Sequence, residues 1–512
     1  MPDSARRHVF VFLCDQLRSD FLSCYGCAGV PTPNLDRLAA NGVVYDRAIA
    51  QSPVCGPGRA SMMTGRFVSD HGVWANDLPE RPGLEFLPQR MADQGYTTGA
   101  FGKLHHTPGQ DTKGFHVGHL FEEGRLGEQD HYFQWLKQRH PEVTGVWNID
   151  NQQFAFEPEE YYEHWIASRT IDFIHDHAED DAPMFAWVSF QGPHQPYDPP
   201  STVVGSCDPE KLPPVVNFAP ESFPHAVLEA RSARVLPVFK DKLALDKLRI
   251  AYAEMIVFID QQIGRVLDAL EAAGQLEHTT ILFSTDHGDM LGDHGIQEKG
   301  PYPYRQHLEI PLLLSNHPGL EVGTRSQALV GNIDLGATAL DIAGDTCAFG
   351  AARSLLGPLG PSNAPTRTTN FSEFCDSLKI VENDRFRFGY IPFSKDMFLY
   401  NPVDDPEMTT NLADDPAYAE VVREMLQHTV DYMILAKGVG IEAHDLVWDQ
   451  QRGLAEKHPA YADEMPIVFA MTQVEHQRTV EAGVDATFNQ PFESKPVRHG
   501  YQPAYWEHRN DA

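Results

Sequence analysis

Ser52-Pro53-Val54-Cys55-Gly56-Pro57-Gly58-Arg59-Ala60-Ser61-Met62-Met63-Thr64-Gly65-Arg66 contains the residue on which the reading of this chain turns, Cys55. By itself, a cysteine beside Pro and Gly is a small buried hydrophobe, and Pro-Gly signals only a turn. Its company gives it weight: Pro57 and Arg59 follow at alternate positions. Further on comes Gly95-Tyr96-Thr97-Thr98-Gly99-Ala100-Phe101-Gly102-Lys103-Leu104-His105.

Working outward, residues 8–14 form an apolar run that suits a strand buried on both faces, closed by Asp15-Gln16. Residues 33–42 read as a short capped helix stopped by Gly42, and 87–94 as another. An amphipathic helix over 161–178 precedes a buried strand over 184–190, which empties into Gly192-Pro193-His194. Pro-rich loops fill most of 196–240, and a long helix over 242–273 ends at Gly274. A strand over 279–284 then delivers Asp286-His287-Gly288-Asp289, and 334–343 is helical. The alternation predicts an α/β fold: a large mixed sheet sandwiched by helices. Four strands end in Asp15-Gln16, Lys103-His105, His194 and Asp286-His287. Ligands of open α/β sheets sit beyond the carboxyl ends of the strands, so one crevice accounts for all four.

Composition shifts at 355–370, which divides the chain into a catalytic domain over 1–365 and a smaller α+β subdomain over 366–445. The subdomain is expected to hold strands at 384–390 and 397–400 and a helix over 417–436. The tail, 446–512, carries Trp448, Tyr461, Tyr501, Tyr505 and Trp506, a pattern suited to docking on another subunit of a homo-oligomer, a dimer or tetramer.

The chain has 512 residues and a formal charge of -32, which argues against nucleic acid or acidic membranes as partners. An anionic substrate is still allowed, because a site can be locally cationic. Seven cysteines are too few and too unpatterned for a disulfide framework, and Cys24-Tyr25-Gly26-Cys27 lacks an answering metal-binding pair. With no long apolar span and no cleavable leader, a cytoplasmic enzyme is expected.

The two runs around Cys55 and Lys103 resemble the signatures of type I sulfatases, in the alkaline phosphatase superfamily. The resemblance covers residues 8 to about 435. It implies that a maturation enzyme oxidises Cys55 to formylglycine, whose hydrated aldehyde is the nucleophile. It also implies a divalent metal, calcium first and manganese or magnesium next, held by Asp15, Gln16, Asp286, His287 and modified Cys55. Gln16 and His287 stand where many sulfatases have Asp and Asn. That variant is similar to the cytosolic branch containing choline sulfatases and phosphonate monoester hydrolases.

By the same resemblance, Arg59 holds the nucleophile and metal shell. Lys103 orients nucleophile and anion, and His105 takes the proton that releases sulfate. His194 protonates the leaving oxygen, Lys299 bridges anion and leaving group, and Asn76 lies against the anion. The substrate is a small anionic ester, and an arylsulfatase-like reaction is expected, with some activity on phosphonate and phosphate esters. Phosphonate monoester hydrolysis or phosphodiester hydrolysis is the first alternative. That branch carries hydroxyl side chains at positions 103 and 105, which favours sulfate here. A choline-type substrate and a non-catalytic binding protein on the same scaffold are the others. Gly58 and Glu309 depart from the family, which usually has serine and arginine there. Arg66, His71, Asp289 and Asp293 are candidates to back the site's ligands but read more readily as structural, and Tyr197, Tyr302, Tyr304 and Trp74 as either pocket lining or core.

Overall fold

The computed structural model describes residues 6–143, 157–357 and 367–436, apart from 221, 224, 234, 236 and 376. Ten strands belong to its larger part: β1 (His8–Asp15), β2 (Gly42–Tyr45), β3 (Ala48–Ile49), β4 (Thr97–Gly102), β5 (Val117–Leu120), β6 (Met184–Pro193), β7 (Thr279–Thr285), β8 (Leu313–Ser315), β9 (Thr324–Ser326) and β10 (Val330–Gly331). Eight of them form one sheet in the order β5-β4-β6-β1-β7-β8-β2-β9, while β3 and β10 pair separately. From β5 to β7 all neighbours are parallel, and β8 runs antiparallel to both β7 and β2. The sheet is mixed, as expected.

β1 shows why the sequence folds this way. Its even positions, Phe10, Phe12 and Cys14, enter one core cluster with the helices Tyr162–His177 and Lys242–Ala272. Its odd positions, Val9, Val11 and Leu13, enter a second cluster with Met62, Met63, Leu87, Met91, Leu335 and Ala339 from helices on the other face. A strand covered on both faces must be apolar at every position, and alternation assigns each side chain to its layer.

Past the large sheet, β11 (Asn370–Phe374), β12 (Leu378–Glu382), β13 (Arg387–Ile391) and β14 (Asp396–Tyr400) form an antiparallel meander. The Ala419–Ala436 helix packs on it through Val422 and Met425, against Val381, Phe388 and Leu399. Only the last two strands were visible in the sequence. In β11 and β12, Glu373 and Lys379 disguise the pattern: both are buried and paired with each other, and Glu373 also accepts from Ser69 and Tyr432. The stretch 196–240 is less irregular than expected and contains the helices Ala226–Ala233 and Pro237–Lys240. Glu309 accepts from Arg387 at 2.9 Å and Arg305 at 3.1 Å, tying the end of the Arg305–Leu308 helix to the meander.

The tail expected to mediate oligomerisation, 446–512, lies outside the described residues. Among the described residues no helix is long and apolar enough to cross a membrane.

Candidate active site

β4, β6, β1 and β7 are consecutive in the sheet, so their carboxyl ends deliver Lys103, His194, Asp15-Gln16 and Asp286-His287 to one place. Cys55 opens a helix, Cys55–Thr64, after Val54 in extended conformation. Its position at a helix N-terminus puts it in the partial positive field of that end. Gly58 permits the helix to approach β7, because a Cβ there would lie 3.3 Å from the Asp286 carbonyl oxygen and 3.4 Å from that of Ser52. A serine would crowd both. Gly102, at φ +92, turns the chain from β4 into Lys103, with the Ser189 carbonyl where a Cβ would stand.

Arg59 locks the arrangement. Its Nε donates to Asp286 Oδ2 at 2.8 Å, and one terminal nitrogen donates to the Lys103 carbonyl and to Ser189 Oγ, each at 2.7 Å. The other lies 3.4 Å from Asp15 Oδ2. Asp15 also accepts from Lys103 Nζ. Burial alone would push the Asp15 carboxyl up, but Lys103, His194, Arg59 and His287 together hold it well below the usual range.

Cys55 Sγ lies 3.1 Å from His287 Nε2, 3.6 Å from Asp15 Oδ1 and 3.2 Å from Lys299 Nζ. His287 donates from Nδ1 to the Gly288 carbonyl at 2.8 Å, which leaves the Nε2 lone pair facing the thiol and the carboxylates. Burial, then Lys299, lowers its pKa and favours the neutral ring a metal ligand needs. Ligand atoms of Asp15, Cys55, Asp286 and His287 lie within 4.8 Å of one another, all buried. Gln16 turns its side-chain oxygen to the same cluster, accepting from Lys299 at 2.9 Å, while its amide nitrogen donates to Asp289 and Gln195. It holds this position at φ +67, a strained conformation for glutamine. Two carboxylates, an amide oxygen and one imidazole are a donor set for a hard divalent cation, so this group could hold a metal.

Three more predicted residues ring the cluster. Asn76 Oδ1 accepts from the Gly56 N–H at 2.9 Å, beside Cys55. His105, at φ +61, is buried, and among the described residues neither ring nitrogen has a hydrogen-bond partner. Burial, then Arg125, Lys103 and Arg59, drives its pKa well below 6.5. His194 donates from Nδ1 to the Gln195 carbonyl at 2.8 Å. Tyr197, Tyr302 and Tyr304 prove to be core residues, whereas Trp74 is half-buried.

Sequence reasoning missed two features. Asp289, read as structural, orients Gln16 and accepts from Tyr197 at 2.7 Å. Glu123 joins Lys103, Gln191 and Arg125. It follows the end of β5, a fifth chemically loaded strand end, but 117–120 did not read as a strand, so the criterion used for the other four passed it by.

A buried metal-type donor set at the carboxyl edge of a mixed sheet, with cations facing a thiol, defines a hydrolase of the alkaline phosphatase superfamily. Residues 7–345 match the Sulfatase family model, and the chain belongs to that family. A Clostridium perfringens arylsulfatase is 29% identical over 341 residues, 62% of this chain and 70% of the relative. The uncharacterized sulfatase YidJ of Escherichia coli is 28% identical over 455 residues, 84% of this chain and 87% of the relative. The crystal structure of the phosphonate monoester hydrolase of Agrobacterium radiobacter superposes with a TM-score of 0.71 at 25% identity, covering 84% of this chain and 96% of that one.

Proposed function

We propose that this chain hydrolyses sulfate monoesters of the arylsulfatase type, with position 55 as nucleophile. One observation carries the reading: Cys55 begins a helix inside the Asp15, Asp286 and His287 donor set, with Lys299 3.2 Å from its sulfur. Oxidised to formylglycine by a maturation enzyme and paired with a divalent cation, this position would supply a hydrated aldehyde for attack and a Lewis acid for the ester oxygens. Asp15, Gln16, Asp286 and His287 would hold the cation. Their hard, oxygen-rich character favours calcium over manganese or magnesium.

The remaining roles belong to the protein's own side chains. Arg59 holds Asp15 and Asp286 apart from each other's repulsion and fixes the helix that presents position 55. Lys103, Lys299 and the Asn76 amide bind the anion's oxygens. His194 has its Nδ1–H committed to Gln195, so Nε2 is the ring nitrogen left to pass a proton to the leaving oxygen. His105 is held neutral and takes up the proton whose loss releases the inorganic anion.

No disulfide joins any of the cysteines among the described residues, which suits a reducing compartment, and we place the enzyme in the cytoplasm. We also propose a homo-oligomer, which sedimentation of the full chain would test. Turnover of an aryl sulfate against a phenyl phosphonate monoester tests the main reading. A higher kcat/KM for sulfate is expected. A large phosphonate preference would favour the first alternative, phosphonate monoester hydrolysis.

A further inference from the structure

The turn Glu122-Glu123-Gly124-Arg125 that follows β5 brings Glu123 against the anion-handling side of the site. Its Oε1 accepts from Lys103 Nζ at 2.7 Å and from the Gln191 amide, and lies 3.8 Å from His194 Nδ1. Its Oε2 accepts from Arg125 at 2.7 Å. The residue sits at φ +51, a strained conformation that persists only where contacts impose it. Burial alone would raise its carboxyl pKa, but Lys103, Arg125 and His194 outweigh it and keep the group charged.

Lys103 is therefore shared between two carboxylates, Asp15 and Glu123. Its ammonium offers an incoming anion far less net positive charge than a lysine with one partner. A sulfate ester or phosphonate monoester carries one negative charge, whereas a phosphate monoester carries up to two near neutral pH. The fixed carboxylate repels the second charge as strongly as the first.

We propose that Glu123 is a specificity-determining residue: it selects singly charged esters over doubly charged phosphate monoesters. This deepens the reading of the site given above and rests on it. At an effective dielectric of about 20 and a separation of roughly 8 Å, one added unit of repulsion corresponds to roughly ten- to a hundredfold in rate.

The test is the ratio of kcat/KM for p-nitrophenyl phosphate to that for p-nitrophenyl sulfate, at about pH 8, where the phosphate is doubly charged. Glu123→Gln should raise the ratio roughly ten- to a hundredfold. Arg125→Gln, which uncovers the carboxylate, should lower it. A ratio unchanged in Glu123→Gln, with both activities falling together, would overturn the proposal and leave Glu123 a merely structural support. If Glu123→Gln does not fold by circular dichroism, the sign of the Arg125→Gln effect decides alone. A wild type active on p-nitrophenyl phenylphosphonate but not on p-nitrophenyl sulfate would refute the sulfate reading. That ester is also singly charged, so it would take the denominator and the ratio would still be read.

Discussion

Arg59 Nε and Asp286 Oδ2 meet at 2.8 Å in a fully buried ion pair that ties the helix of Cys55 to the end of β7. A planar guanidinium reaches Asp286, Asp15, Ser189 and the Lys103 carbonyl at once, which one ammonium cannot do. Arg59→Ala leaves the buried Asp286 without its ion-pair partner and Asp15 with Lys103 alone, and should cost about 3–5 kcal/mol in denaturant unfolding. Arg59→Lys should fold but lose at least tenfold in kcat/KM, about 1.4 kcal/mol. Wild-type turnover from the lysine variant would show that the fork is dispensable.

Removing metal should act on stability as well as activity. Treatment with a chelator is expected to lower the melting temperature, because Asp15 and Asp286 share one buried site. Calcium returned at a hundredfold excess over its dissociation constant should restore about 2.7 kcal/mol. Asp286→Asn should abolish that calcium-dependent gain. Melting curves that ignore both chelator and calcium would remove the cation from the account.

Acid sensitivity should trace in part to His71. Its Nδ1 accepts from the Val73 N–H at 3.1 Å and its Nε2 pairs with Ser61 Oγ at 3.0 Å, so only the neutral ring satisfies both. Burial holds its pKa down to about 4, against 6.5 when exposed. Between those values the unfolded chain binds a proton that the folded chain refuses. The contribution is therefore whole above pH 6.5 and lost as pH falls toward about 4. His71→Gln should flatten the slope of unfolding free energy in that window by up to about 1.4 kcal/mol per pH unit. Parallel slopes in variant and wild type would exclude His71 as the source.

Glu309→Arg, which installs the residue expected from the family resemblance, should destabilise without disabling. Arg387 and Arg305 would then face a third cation instead of a shared carboxylate. A loss of about 3–5 kcal/mol is expected, with kcat/KM changed less than threefold in the folded fraction. A neutral effect on stability would mean that the meander does not depend on this bridge.

The sequence made the large sheet legible because its central strands are apolar throughout and end abruptly in polar residues. Asp15, Lys103, His194 and Asp286 could be assigned to one crevice on that ground alone. Less was visible where polar residues are buried in pairs, as with Glu373 and Lys379, because a paired charge looks like a surface charge until its partner is known. Glu123 and Asp289 escaped for a related reason. Their importance lies in what they touch, Lys103 and Gln16, and spacing along the chain carries no record of such contacts. Cys55 at a helix start, where the run suggested a turn, shows that Pro57 near an N-terminus is compatible with a helix.

The most direct measurement is a mass spectrum of the tryptic peptide containing Cys55, taken from enzyme with full turnover. The aldehyde should replace the thiol in the active fraction, and Cys55→Ala should fall by at least about a thousandfold in kcat. Fully active enzyme with an intact thiol at position 55 would contradict the mechanism at its root.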